Sequence, residues 1–204
     1  MKKFLVIAAA LLLTVSAHAQ FGVIAGITSS SSDLKTAIGE VKNVNQYHAG
    51  ITYKIGFGNF FAVQPSLIYN MKGAKLSDIS GSGELDYKTG YIELPLQFQA
   101  GLGVSDFFRI YGLAEPFVGY AISNTIALGE KATAQQTWEN VKTRAEYGFS
   151  LGAGIELIKH VQVSVKYFWN LGTVYKTTVT GADIQNAVKE GKANGISASV
   201  AILF

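Results

Sequence analysis

Val161-Gln162-Val163-Ser164-Val165-Lys166-Tyr167-Phe168-Trp169-Asn170-Leu171-Gly172 is the stretch on which the reading of this chain turns. Val161, Val163, Val165, Tyr167, Trp169 and Leu171 form one set; Gln162, Ser164, Lys166, Phe168, Asn170 and Gly172 form the other. The period is two, apolar against mostly polar or small, which is the signature of a β-strand with two different faces. The run is also long enough to cross a bilayer as a tilted strand.

The same alternation recurs on either side. Just before it, Tyr147, Phe149, Leu151, Ala153, Ile155 and Leu157 share one face, and Glu146, Gly148, Ser150, Gly152, Gly154 and Glu156 share the other. At the end of the chain Ile196, Val200, Ile202 and Phe204 alternate with small residues. Towards the start, Tyr47, Ala49, Ile51, Tyr53, Ile55 and Phe57 alternate with His48, Gly50, Thr52, Lys54 and Gly56. Ile92, Leu94, Leu96 and Phe98 alternate with Glu93, Gln97 and Gln99. Residues 61–71 and 108–122 follow less cleanly, and residues 21–28 read as a short, weak first strand. Short turns are expected at residues 58–59, 101–106 and 159–160, and long polar connections at 29–46, 72–85, 123–143 and 176–194. Short connections on one side and long ones on the other are the pattern of an outer-membrane barrel. The expected fold is all-β: an eight-stranded antiparallel transmembrane up-and-down β-barrel with short periplasmic turns and longer extracellular loops.

Composition agrees. Charged residues are 15% of the 204, against about 25% in ordinary soluble domains, while Gly numbers 22, Tyr 10 and Phe 12. After the N-terminal segment, no apolar run approaches the roughly 20 residues of a membrane helix. That segment reads as a secretion signal: Lys2 and Lys3, an apolar run from Phe4 to Val15, then Ala17-His18-Ala19 as a small-x-small cleavage site. Residues 1–19 are the expected signal and 20–204 the barrel domain, with Gln20 the first mature residue. The chain has 17 Lys and Arg, so losing Lys2 and Lys3 leaves 15 basic against 14 acidic residues. Such a balance gives no argument for nucleic acid. Without Cys, no disulfide, thiolate or lipid-acylated cysteine is available.

The polar face is too rich in Gly, Ser and Ala for a soluble exterior, but it suits the inside of a narrow barrel, where side chains fill the lumen. A soluble periplasmic lipocalin-like carrier would carry the same alternation with the faces reversed. The inward charges are Lys54, Glu93, Arg109, Glu115, Glu146, Glu156 and Lys166. They are expected to pair within the lumen, since unpaired buried charge is costly. Two aromatic girdles are expected on the lipid face. Phe57, Phe61, Phe98, Phe108 and Phe204 lie near the short turns, and Tyr47, Tyr69, Tyr120, Tyr147 and Tyr175 near the long loops. Pro65, Pro95 and Pro116 fall inside strands although proline cannot donate to a ladder, which predicts bulges or kinks at those points.

Chemistry is sparse. Gly148-Phe149-Ser150-Leu151-Gly152 has the spacing of a nucleophile elbow but lies in an alternating strand, whereas that motif needs a strand–turn–helix. His48 and His160 lack ligand spacing. Glu93 and Glu115 are a candidate acid/base pair, but ion pairing is the commoner use of such groups. The reading is therefore no catalytic residue, no cofactor and no metal. The expected partners are outer-membrane lipid, the barrel-assembly machinery through the C-terminal strand, and an unidentified protein or cell-surface ligand at the long loops, where Trp138 is an aromatic in a polar setting. An outer-membrane lipid-modifying enzyme is the alternative role.

Several segments resemble the PorT-like outer-membrane β-barrel proteins, often called "porin family", of Bacteroidetes-type bacteria. They are Val63-Gln64-Pro65-Ser66-Leu67-Ile68-Tyr69 with Lys72-Gly73, then Tyr91-Ile92-Glu93-Leu94-Pro95-Leu96, then residues 148–157 and the terminal Phe204. The resemblance implies a membrane location and a barrel, makes Pro65 and Pro95 part of the fold, and implies little chemistry.

Overall fold

The computed structural model describes residues 19–32, 41–42, 44–58, 60–76, 85–105, 107–128, 144–172 and 193–204. The strands are β1 (Ala19–Ser32), β2 (Val41–Lys42), β3 (Val44–Phe57), β4 (Phe61–Leu76), β5 (Leu85–Ser105), β6 (Phe108–Leu128), β7 (Ala145–Leu157), β8 (Val161–Asn170) and β9 (Ala193–Leu203). The two-residue β2 and the long β3 both pair with β4, so together they form one stave of the wall. Each of the eight staves pairs antiparallel with its neighbours in the chain, and β9 pairs with β1 to close the ring.

The register fixes the shape. Stepping from partner to partner, Ala19 leads through Ile55, Val63, Phe98, Ala114, Leu151, Tyr167 and Ile196 back to Ser29, ten residues further along β1. Eight staves with that stagger tilt by about 40° to the barrel axis and enclose a space that side chains fill.

The faces fall as the alternation requires. Leu94, Val165 and Ile202 are 56%, 52% and 47% exposed, whereas Glu93, Glu115 and Glu156 are only 3–4% exposed. A soluble barrel with an apolar interior is thereby excluded: the apolar surface is outside and the polar groups are within. Lipid is the solvent that makes this arrangement stable, because the backbone groups of each stave face a partner strand on both sides and a closed ring leaves no edge.

Four expectations need correction. The first strand is not short: β1 runs for 14 residues, and its Ser29–Ser32 end pairs with β9 residues 193–196. Serines fit there because the ladder consists of backbone groups, and Ser30 also donates to the Gly73 carbonyl at 2.9 Å. The turn expected at residues 101–106 is mostly strand, since β5 continues to Ser105 and pairs with Phe108. Residues 72–76 and 123–128, read as loop, extend β4 and β6. The prolines produce no bulge: each ladder skips two residue pairs and resumes in unchanged register. The breaks fall between Thr52–Ser66 and Ile55–Val63, between Ile68–Glu93 and Pro65–Leu96, and between Pro95–Phe117 and Phe98–Ala114. A missing N–H removes a bond without adding a residue, and the neighbouring staves hold the spacing. The register shifts lie elsewhere, at Gly90/Tyr91 and Gly103/Ser105.

At the turn end the connections are tight. Gly58 takes φ +66° after β3. Between β7 and β8, the His160 amide donates to the Leu157 carbonyl at 3.0 Å, and Ile158 and Lys159 have φ of 47° and 62°. That is a type I′ hairpin turn, which matches strand twist but suits Asn or Gly at both central positions. A β-branched Ile at positive φ is strained. Replacing Ile158 by Asn is expected to raise stability by about 1 kcal/mol, read from urea unfolding of the protein in lipid vesicles. An unchanged or lower midpoint would mean that the exposed Ile side chain gains more from the membrane interface than the turn loses.

Candidate functional site

The inward residues form three tiers, counted from the turn end. In the first, the Lys54 ammonium donates to Glu156 Oε2 at 2.6 Å, and Gln162 Nε2 donates to the same oxygen at 2.8 Å. Arg109 Nη1 lies 3.6 Å from that oxygen and donates to Gln99 Oε1 at 2.9 Å, while Nη2 donates to the Phe60 carbonyl at 3.3 Å. Gln99 passes the chain on to Gln64, and Gln64 to Thr52, at 2.8 and 2.9 Å. The guanidinium also sits 5.3 Å from the Tyr111 ring centroid, within cation–π range.

The second tier is a single pair, Lys166 to Glu115 Oε1 at 2.5 Å. The third surrounds Lys72, which is 2% exposed. Its ammonium lies 2.8 Å from Glu93 Oε1 and 3.0 Å from Glu146 Oε1. The ring centroids of Phe117, Phe168 and Tyr91 stand 4.5, 5.0 and 5.5 Å from it. Asn70 and Asn170 donate to the two glutamates at 3.0 and 2.6 Å. Thr28 donates to Asn70 Oδ1 at 3.1 Å and contacts His48 Nδ1 at 2.9 Å, and His48 Nε2 meets Ser199 Oγ at 2.9 Å. One hydroxyl proton cannot serve both Thr28 bonds, so His48 Nδ1 donates to Thr28 and Nε2 accepts from Ser199.

All seven charged residues singled out in the sequence therefore point inward, and each of them meets an opposite charge. Lys72 completes the set; assigned to a loop on sequence, it is more enclosed than Lys54, at 2% against 7% exposed. The missed signal was parity: Gln64, Ser66, Asn70 and Lys72 are all even-numbered, so the alternation of β4 already placed Lys72 inside. With it, the named inward charges are four cations and four glutamates.

The other candidates are dispersed. Ser150 lies mid-strand in β7, opposite Glu115 and Phe168. Glu93 and Glu115 serve different lysines. His160 sits in the turn with Nδ1 2.6 Å from the Ile158 carbonyl. Among the described residues, no group of three His, Cys, Asp or Glu could hold a metal ion.

On the outer face, Tyr47, Tyr120 and Tyr147 are exposed at the loop end, and Phe57, Phe61 and Phe204 at the turn end. Tyr69 and Phe108 are half-buried; Phe98 is exposed but sits further up the wall, opposite Val63. Tyr175 lies outside the described residues. Trp169 joins the upper ring, 4.7 Å from Tyr167 and 6.3 Å from Phe149 between centroids. Tyr47 and Phe57 are ten residues apart on one tilted strand, which separates the girdles by about 25 Å, the height of the apolar band in such barrels.

A closed eight-stave wall, apolar outside and filled by paired charges inside, defines a small transmembrane β-barrel. The chain matches the family described as "Outer membrane protein beta-barrel domain" over residues 14–176, and it belongs to that family of outer-membrane proteins. Solved structures of similar fold include OprG from Pseudomonas aeruginosa, 14% identical with a TM-score of 0.47, covering 93% of this chain and 99% of its own. Neisserial surface protein A is 13% identical with a TM-score of 0.46, covering 90% and 97%. Ail, the attachment invasion locus protein of Yersinia pestis, is 12% identical with a TM-score of 0.45, covering 92% and 99%. No curated protein matches the chain in sequence.

Proposed function

We propose that this protein is a plugged barrel of the PorT-like, "porin family" kind, exported by a signal cleaved after Ala19. Its role is structural or one of interaction through the loops at the extracellular end, and it is not an enzyme. The observation that carries this reading is the lumen: the Lys54–Glu156, Lys166–Glu115 and Lys72–Glu93–Glu146 pairings stack along the axis and occupy the space a solute would need. Lipid covers the apolar face, and β9, followed directly by Phe204, is the segment proposed to engage the barrel-assembly machinery. The partner at the loops is an unidentified protein or cell-surface ligand, and nucleic acid is not among the proposed partners.

Two measurements test it. In a planar bilayer the purified mature protein is expected to give no steady single-channel steps; large, regular steps would sink the plugged-lumen reading. Pull-down of the detergent-solubilised protein from native outer membranes is expected to bring a partner that is lost when the loops are shaved by protease from outside. Retention after shaving would move the interaction away from the loops.

A further inference from the structure

The middle of the lumen is built differently from the tiers on either side of it. In the first tier the Tyr111 ring lies over Gly154, against the place a Cβ would take. In the third, Phe117 and Phe168 lie in the same way over Gly148 and Gly195. These buried rings fill the barrel below and above. Between them the inward residues of β7 are Gly152 and Ser150, and those of β9 are Ser199 and Ser197. Side chains of that size cannot fill the width that Tyr and Phe fill elsewhere. Lys166 stands in this section, and its inward side chain keeps 11% exposure, which is room for a water-sized group beside it. None of these residues lines the cavity of about 560 Å³ at the turn end.

The polar groups here are also short of partners. An ammonium has three N–H groups to place, and among the described residues Lys166 has one acceptor, Glu115 Oε1. Glu115 is 3% exposed, and its Oε2 has no donor among the described residues. Ser150 and Ser197 are 1% and 4% exposed, and neither hydroxyl has a hydrogen-bond partner among the described residues. The register sets Ser150 directly opposite Glu115 and Ser197 directly opposite Lys166. Side chains so paired start from Cβ atoms about 5 Å apart, so both hydroxyls are buried beside the ion pair. Buried polar groups are nearly always bonded, and where the protein supplies no partner an ordered water does.

We propose that the middle of the lumen is an enclosed hydration site, in which a small cluster of ordered water molecules bridges Lys166 and Glu115 to Ser150 and Ser197. Water accepts from the remaining ammonium N–H groups, donates to Glu115 Oε2 and completes the two hydroxyls. About two to four molecules, making some three bonds each, meet these groups. The site rests on the plugged-lumen reading in that the tiers on either side must close it. It goes beyond that reading in placing a wet ion pair at mid-membrane between two dry plugs.

The test is water-edited solid-state NMR of the mature protein, ¹³C- and ¹⁵N-labelled, in lipid vesicles. Magnetisation passes from water protons to a lysine Nζ by direct contact or by proton exchange, and both routes need water at the ammonium. Transfer to Lys166 is expected to be severalfold faster than to Lys72, an ammonium of the same chemistry that is 2% exposed and held by two glutamates. Ser150→Leu, which fills the space, should bring the Lys166 rate down to that of Lys72, whereas Ser150→Ala, which keeps the space, should leave it fast. If Ser150→Leu does not fold, the comparison of the two lysines in the parent protein decides. Slow transfer at both lysines overturns the proposal and leaves the plugged lumen standing. Fast transfer at both means an open lumen and overturns the plugged reading and the enclosed site together. A Lys166 rate indifferent to Ser150→Leu puts the water elsewhere and overturns the site alone.

Discussion

Replacing Lys72 by Met is expected to lower the stability of the barrel by about 3–5 kcal/mol, the usual effect of deleting one member of a buried charge cluster. Lys72 is enclosed, and its ammonium holds Glu93 at 2.8 Å and Glu146 at 3.0 Å. Met keeps most of the volume and the contact with Phe117, Phe168 and Tyr91, so the loss isolates the charge. Two carboxylates would then face each other in a low-dielectric interior, each keeping a neutral amide donor, Asn70 or Asn170, in place of the ammonium. The measurement is the denaturant midpoint of the protein refolded in lipid vesicles. The triple variant Lys72→Met, Glu93→Gln, Glu146→Gln should recover most of the loss, because neutral groups can share the remaining hydrogen bonds. A single variant within about 1 kcal/mol of the parent would show that the cluster is not electrostatically tight.

Val165→Arg is expected to cost about 2–4 kcal/mol, the range for a cation on the lipid face near the bilayer midplane. Val165 is 52% exposed on β8 and pairs with Ala153 and Ala198, whose methyl groups cannot receive a guanidinium. Folding can be followed on a cold detergent gel, where the closed barrel migrates apart from the boiled chain. Val161→Arg, four residues nearer the turn, should be milder, since an arginine there can reach the interface. Equal behaviour at the two sites would place the membrane elsewhere on the wall. Acyl-chain quenching of labels at single cysteines, introduced one at a time into this Cys-free chain, should alternate along Val161 to Leu171.

Much of this arrangement is legible in the order of residues. Period-two alternation in residues 47–57, 147–157 and 161–171 defines strands with an apolar and a polar face, and the strand is the one element whose side chains reverse direction at every step. The seven inward charges follow from the same parity, because alternation within a strand is a local property. Where the reading fell short, local chemistry gave a competing signal. Lys72-Gly73-Ala74-Lys75 looks like a polar connection, and Gly101-Leu102-Gly103 looks like a turn. Both are held extended by neighbours distant in sequence, such as Thr89 opposite Lys72 and Ile110 opposite Leu102.

By itself, then, the sequence determined the element type, the face assignment and the identity of most lumen charges, all of which depend on residues a few positions apart. The tertiary structure alone decided which charges meet. Lys54 and Glu156 are 102 positions apart, and Lys72 and Glu146 are 74 apart. Their pairing follows from the stagger of ten residues that accumulates around the closed ring, and a stagger is a relation between strands that no single strand encodes. The same holds for the cavity at the turn end: Lys54, Arg109 and Lys159 come from three separate parts of the chain and share one mouth only because the barrel closes.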